Sequence, residues 1–269
     1  MSDKGIFDLS SKVALITGAS RGLGVAFAEA MAQYGADVAA VGRDTAKLAE
    51  TVRLVEKQGQ RAVAISADVT EETDIQKMVD EAVGKMGKID IFFNNAGITR
   101  PPYKIHEIAT KDWDDVINTN LRGMFLGLKY VLPVMMKQEG GSIVNITSIA
   151  GLRAEVPEVA PASYGASKAG IILLTQVAAM EYVEYGIRVN CIAPGMHKSE
   201  LGRPRGDQGP DTVVGMELDI GEYCAQWVPM GRQAEANELA GLAVLLASDA
   251  SSYITGQVFV QDGGQSARL

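Results

Sequence analysis

The chain has 269 residues, with 33 acidic against 25 basic side chains for a formal net charge of −8, and 47% of its residues are apolar. That composition is ordinary for a globular protein, and at this length enough surface is buried that neither disulfide nor metal staples are needed. Two cysteines (Cys191, Cys224) and two distant histidines (His106, His197) argue against a zinc site or a His-centred triad. An acidic balance without a Lys/Arg block argues against non-specific nucleic-acid binding.

Taken in order, the N-terminal segment MSDKGIFDLSSK is polar and mixed in charge and shows no signal or transit pattern. The apolar stretches are too short or too interrupted to span a bilayer, so a cytoplasmic enzyme without a membrane partner is expected. Short apolar runs predict strands over Val13–Ile16, Val38–Val41, Ala62–Ile65, Ile89–Phe93, Ser142–Ile146, Arg188–Ile192 and Gln257–Val260. Between them, amphipathic segments predict helices over Leu23–Tyr34, Thr45–Gln58, Glu71–Met86, Lys111–Met136 and Tyr164–Tyr185. Short buried strands alternating with helices imply βαβ units and a parallel sheet covered on both faces. The expected fold class is α/β, a single doubly wound domain over 1–269. One segment breaks the rhythm: Gly195 to Arg232 holds seven glycines, three prolines and a weak helical pattern around Thr212–Trp227. An insertion this long in a compact domain is usually functional, and it reads as a substrate lid.

The first strand runs into Thr17-Gly18-Ala19-Ser20-Arg21-Gly22-Leu23-Gly24, and a helix follows. Glycines there permit a tight turn and close backbone approach to a pyrophosphate, while the helix start supplies amide donors. A Gly-rich turn alone is weak evidence, but its place after the first strand of a βα alternation points to a nucleotide. The second strand ends Val41-Gly42-Arg43-Asp44, so the acid that would bind both ribose hydroxyls is missing. Arg43, with Arg21 in the glycine turn, puts two guanidinium groups where a 2′-phosphate can sit. NADP(H) is therefore favoured, with NAD(H) the alternative, although Asp44 stands near enough to neutralise Arg43. Asp68-Val69, past the third strand, reads either as an adenine contact or as a turn before Thr70.

Tyr164 and Lys168 stand four apart and share a helical face. A phenol with a pKa of about 10 is a poor acid–base at pH 7 unless a neighbouring cation favours its anion. Ser148 lies at the end of the fifth strand, where open α/β sheets bind ligands and a hydroxyl can meet a carbonyl oxygen as charge builds on it. Asn120 follows a helical segment. Asn94-Asn95-Ala96-Gly97 ends the fourth strand, where a structural tie between loops and a cofactor contact are both open readings.

With these motifs in order, the chain resembles the short-chain dehydrogenase/reductase family over essentially its full length. The match rests on Thr17–Gly24, Asn94–Gly97, Asn120, Ser148, Tyr164/Lys168, Pro194-Gly195, Pro229–Arg232 and Asp262-Gly263-Gly264. The resemblance implies a Rossmann fold and a catalytic set of Asn120, Ser148, Tyr164 and Lys168. Tyr164 would be the acid or base, Lys168 would lower its pKa and hold the nicotinamide ribose, Ser148 would orient the carbonyl, and Asn120 would anchor a relay water. It also implies cofactor contacts from Gly18, Ser20, Arg21, Gly22, Leu23, Gly24, Arg43, Asp68, Val69, Asn95, Ala96, Gly97, Tyr164, Lys168, Pro194, Gly195, His197 and Ser199. No metal is implied, and a homotetramer is, or failing that a dimer.

Two departures stand out. The stretch from Ser148 to Tyr164 is some three residues longer than is common in the family, and Met196-His197-Lys198-Ser199 is polar for a nicotinamide-facing wall. Arg153, Lys198, Arg203 and Arg205 make an anionic or polyhydroxylated substrate, such as a sugar acid or keto-acid, the favoured reading, although lid charges are mostly solvated. The alternatives are a 3-oxoacyl thioester reductase, a steroid or cyclic alcohol dehydrogenase, and a non-catalytic NADP(H)-binding scaffold. The carrier-docking arginines of the thioester reductases fall at Pro133 and Met180 here. That weakens docking of an acyl carrier.

Overall fold

The computed structural model describes residues 5–154, 160–199, 201 and 219–268. Most of the expected lid, with Arg203 and Arg205, lies outside the described residues, as does 155–159 in the lengthened loop.

Seven parallel strands form one sheet: β1 (Val13–Thr17), β2 (Asp37–Gly42), β3 (Ala62–Ser66), β4 (Ile91–Asn94), β5 (Gly141–Ile146), β6 (Ile187–Pro194) and β7 (Val258–Gln261). Their spatial order is β3-β2-β1-β4-β5-β6-β7. Every residue of β1 is buried, because helices cover both faces of its part of the sheet. Ala14, Ile16, Val38, Phe93 and Ile146 point to one face, where Phe27 and Met31 of α1 (Leu23–Gln33), Leu48 and Val55 of α2 (Thr45–Lys57) and Val244 and Leu246 of α8 (Ala240–Ala247) close the core. Val13, Leu15, Val41, Phe92 and Ile143 point to the other. There they meet Ile75 and Met78 of α3 (Glu72–Met86), Leu128 and Val131 of α5 (Gly123–Lys137) and Ala178 of α6 (Ala162–Tyr182). The period of two along each strand thus feeds two cores. Strand order reverses at β1, which opens a crevice beyond the carboxyl ends of β1 and β4, the position where such sheets bind ligands.

Two elements differ from the sequence expectation. The helix expected over Lys111–Met136 is α4 (Thr110–Ile117), a π-helical turn over Asn118–Arg122, and then α5. The extra residue in that turn follows the engagement of Asn120, described below, and π turns recur at functional sites. Helix α8 went unforeseen because AGLAVLLA is apolar on every side, so it carries no amphipathic period. Of the weak Thr212–Trp227 pattern, the described part is α7 (Ile220–Trp227), whose Asp219 cap accepts a hydrogen bond from Glu222 N at 3.1 Å. Among the described residues no helix is long and apolar enough to cross a membrane.

Candidate active site

The glycine turn is defined by what cannot fit. Gly18 has φ +68°, and a Cβ there would come within 2.9 Å of Asn95 Nδ2. Gly22 begins α1 at φ +55° with no side chain capping the helix, so the first amides of α1 face the crevice with their partial positive charge. A Cβ on Gly24 would lie 2.2 Å from Gly18 O. This position, expected to touch cofactor, instead lets the helix press against the turn and does not line the cleft.

Thr17 and Asn95 tie β1 to β4 across the crevice. The Thr17 hydroxyl accepts from Asn95 N at 2.9 Å and Ala96 N at 3.1 Å, and Asn95 Nδ2 donates to Thr17 O at 2.8 Å. Asn94 Nδ2 donates to Met124 O at 2.9 Å. The Asn94 and Asn95 side chains are therefore structural ties, while Asn95, Ala96 and Gly97 still form part of the cleft wall. Gly18, Ser20, Arg21, Gly22, Leu23, Arg43, Asp68, Val69, Pro194, Gly195, His197 and Ser199 line the same cleft with Ser148, Tyr164 and Lys168. Ile98 and Thr119 also line it. The sequence reading missed them, and the one available signal for Thr119 was its place beside Asn120.

At the far end, Arg43 pairs with Asp68 at 3.1 Å and not with its neighbour Asp44, which caps α2 by accepting from Lys47 N. Burial works against the charge of Asp68, but hydrogen bonds from Thr70 and Arg43 outweigh it and hold the carboxyl below its ordinary range. An exposed pair of this kind contributes at most about 1 kcal/mol. The Arg43 guanidinium therefore exchanges cheaply to a phosphate. A dinucleotide fits this half of the cleft, which offers an uncapped helix start for a pyrophosphate with no Cβ in its way, and Arg21 and Arg43 in the wall.

At the other end, Ser148, Tyr164 and Lys168 share the cleft wall, with the Ser148 side chain near enough to the phenol to favour its anion. Burial pushes the phenol up to about 12, and the pull downward comes from Ser148. Burial also brings Lys168 down to about 8. Its ammonium donates to Ile146 O at 2.8 Å and sits 5.5 Å from the centroid of the Tyr164 ring.

Asn120 is fully buried and does not line the cleft. Its Oδ1 accepts from Ile98 N at 2.8 Å, and its Nδ2 donates to Ile98 O at 2.9 Å and Ser167 Oγ at 3.1 Å. The side chain welds the π turn to the β4 loop and to α6.

Of the four expected substrate cations, the two among the described residues, Arg153 and Lys198, are engaged away from the cleft. Arg153 does not line the cleft; it donates to the carbonyls of Gln265, Ser266 and Arg268, clasping the C-terminal segment. That segment in turn holds α7. Arg268 bonds Gln226 O and lies 5.9 Å over the Trp227 ring, and Gln265 Nε2 donates to Tyr223 at 2.8 Å. Lys198 also lies off the cleft wall, in an ion pair with Glu235. No sequence motif signalled the clasp.

A family profile described as enoyl-(acyl carrier protein) reductase matches residues 18–266. The chain is similar to an uncharacterized oxidoreductase, YxbG, of Bacillus subtilis, at 38% identity over 95% of this chain and 91% of that one. It is 37% identical to the 3-oxoacyl-acyl-carrier-protein reductase FabG of Thermotoga maritima, over 95% of this chain and 98% of that one. A cis-4-hydroxycyclohexanecarboxylate dehydrogenase of Sinomonas cyclohexanicum is also 37% identical, over 96% of this chain and 98% of its own. Among solved structures, a short-chain type dehydrogenase/reductase from Mycobacterium marinum superimposes with a TM-score of 0.88 at 35% identity, covering 98% of both chains. A gluconate 5-dehydrogenase from Burkholderia cenocepacia, in complex with NADP and tartrate, gives 0.88 at 31% identity, again covering 98% of both.

Proposed function

Because the chain belongs to the short-chain dehydrogenase/reductase family, we propose that it is an NADP(H)-dependent oxidoreductase acting on a secondary alcohol or ketone through Ser148, Tyr164 and Lys168. The observation that carries the reading is the convergence of Ser148, Tyr164 and Lys168, the lysine one helical turn from the tyrosine, at the end of a cleft that begins at the glycine turn. A bound nicotinamide supplies or accepts the hydride, and its oxidised ring is cationic. In reduction Ser148 holds the substrate oxygen and Tyr164, protonated across the neutral range, gives its proton to that oxygen. In oxidation Tyr164 must receive the alcohol proton, which a burial-raised phenol does only when positive charge stands near its oxygen. The Lys168 ammonium, 5.5 Å from the centroid of the Tyr164 ring, supplies part of that charge. Asn120 is assigned a positioning role, holding the Ile98 wall and α6 together.

Similarity to enzymes named for a hydroxycyclohexanecarboxylate and for gluconate supports a hydroxylated carboxylate as substrate class. Similarity to the Thermotoga maritima reductase supports a second reading, a 3-oxoacyl thioester. The exposed apolar row Phe125, Leu173, Val177 and Met180 on α5 and α6 supports assembly with further copies.

The test is a panel of 2-keto-acids, aldonates, cyclic ketones and acyl thioesters with each coenzyme. Tyr164→Phe is expected to lower kcat by about 10²–10⁴-fold, with coenzyme Kd within about twofold of wild type; normal turnover refutes the mechanism. Arg43→Ala is expected to lower kcat/KM with NADPH by about tenfold, the loss of one charge-assisted hydrogen bond, and to leave NADH unchanged. A wild-type preference for NADH removes the 2′-phosphate reading.

A further inference from the structure

Beside the cleft lies a second recess of about 600 Å³, within the size range of small-molecule sites. Its wall shares Arg43, Ile98 and Thr119 with the cleft, while Thr70, Glu71, Arg100, Asp115, Asn118 and Arg122 line the recess and not the cleft. The lining carries three arginines against two acids, in a protein whose net charge is −8. The partners of Arg100 and Arg122 place both heads at this wall. Arg122 Nη1 donates to Thr70 O at 2.7 Å, so the π turn reaches the loop after β3. Arg100 Nη2 lies 2.9 Å from Asp115 Oδ2, and its Nε lies 3.3 Å from Asp112 Oδ1. Asp115 also takes Lys111 Nζ at 2.7 Å, and hydrogen bonds from Lys111 and then Arg100 hold its carboxyl below the ordinary range. Glu72, whose charge acts on Arg122 through space, is engaged by Lys129 and Tyr130. Arg122 thus has no ion pair among the described residues. A carbonyl takes one of its five N–H donors and none of its charge.

We propose that this recess binds a small phosphate-bearing molecule other than the coenzyme, with Arg122 as its anchor and Arg43 shared between the two sites. A phosphate, with nearly two charges and three acceptor oxygens, answers a group of guanidinium forks better than a carboxylate does. The Arg43–Asp68 pair is exposed and cheaply broken, so Arg43 can turn from Asp68 to an anion on either side. One guanidinium cannot serve two anions in full. An occupied recess therefore weakens the hold on a coenzyme 2′-phosphate and leaves a coenzyme with a 2′-hydroxyl unaffected. By linkage, NADP(H) weakens the phosphate ligand by the same factor. The site stands on Arg122, and its coupling to coenzyme rests on the NADP(H) reading above.

The first measurement is calorimetric titration of inorganic phosphate into the coenzyme-free protein, wild type against Arg122→Gln, with chloride and acetate at matched ionic strength as controls. Wild type is expected to bind phosphate saturably, and Arg122→Gln about tenfold more weakly, the loss of one charge-assisted hydrogen bond. Equal affinity in the two proteins overturns the site, and acetate binding as tightly as phosphate overturns its assignment to phosphate. NADPH and NADH are then titrated by fluorescence at rising phosphate. In wild type the NADPH Kd should climb to a plateau about fivefold above its starting value, the low end of coupling between sites, with NADH unmoved. Arg122→Gln should bind both coenzymes as wild type does when phosphate is absent, since Arg122 is not in the cleft wall, and should lose the plateau. A climb without a plateau, equal in both proteins, places the ion on the 2′-phosphate position and also overturns the proposal. A wild type that prefers NADH removes the coenzyme reading, and Arg122-dependent phosphate binding then still upholds the site.

Discussion

The glycine-turn wall of the cleft and the region around α7 are held by different forces. At the glycine turn, backbone meets backbone: Gly24 fits only because Gly18 O occupies the space a Cβ would need, and Thr17 and Asn95 lock β1 to β4 with short hydrogen bonds. Around α7, Ile220, Tyr223, Cys224 and Val228 form a small cluster with Met196, separate from the two cores. The remaining ties there are side chains reaching carbonyls, Arg153 to the C-terminal segment and Arg268 to α7. Contacts that are steric and dense give a wall of one shape, while polar tethers over a small cluster give a region whose local stability is low and whose position can adjust.

Three substitutions test this contrast, in order of expected effect. Gly24→Ala should be worst: relieving the overlap with Gly18 O means moving the whole turn, at a cost of about 3 kcal/mol or more, and coenzyme binding should disappear. A melt within a degree or two of wild type, with coenzyme still bound, would mean the wall is softer than described. Lys168→Met probes the buried ammonium in the cleft wall. With its pKa lowered from 10.5 to about 8, the folded protein binds fewer protons than the unfolded chain between those values. The burden of burying the charge is therefore full below pH 8 and fades as pH rises towards 10.5. The coenzyme-free variant should be more stable than wild type at pH 7 by on the order of 2–3 kcal/mol, and the gain should vanish by pH 10.5, as read by denaturant titration at both values. Arg153→Ala should be mildest for the whole molecule. Hydrogen exchange across α7 should speed by about tenfold, the loss of three partly exposed hydrogen bonds, with KM for the carbonyl substrate raised and coenzyme Kd unchanged. Exchange unchanged in α7 would show that the C-terminal clasp does not brace it.

The same contrast explains what could be read from residue order. Central strands such as β1 and β4 were visible because VALIT and IFFN are buried on both faces, and the glycine turn because close approach admits one residue type. Tyr164, Lys168 and Ser148 converge as spacing and strand ends implied. Partners of charged side chains were not readable. Arg43 chose Asp68 over the adjacent Asp44, and Arg153 chose carbonyls more than a hundred residues away, since pairing between flexible ions depends on tertiary distance. The π turn was hidden for a related reason: Asn120 is held there by Ile98 and Ser167, on elements far from it in sequence.

Gly24 also bears on descent. It belongs to the pattern by which the chain is recognised, yet it lies against Gly18 and off the cleft surface. Selection for folding alone is enough to preserve it. A descendant that had lost Tyr164 would still carry this glycine, so the turn is a mark of ancestry whatever becomes of the cleft's polar side chains.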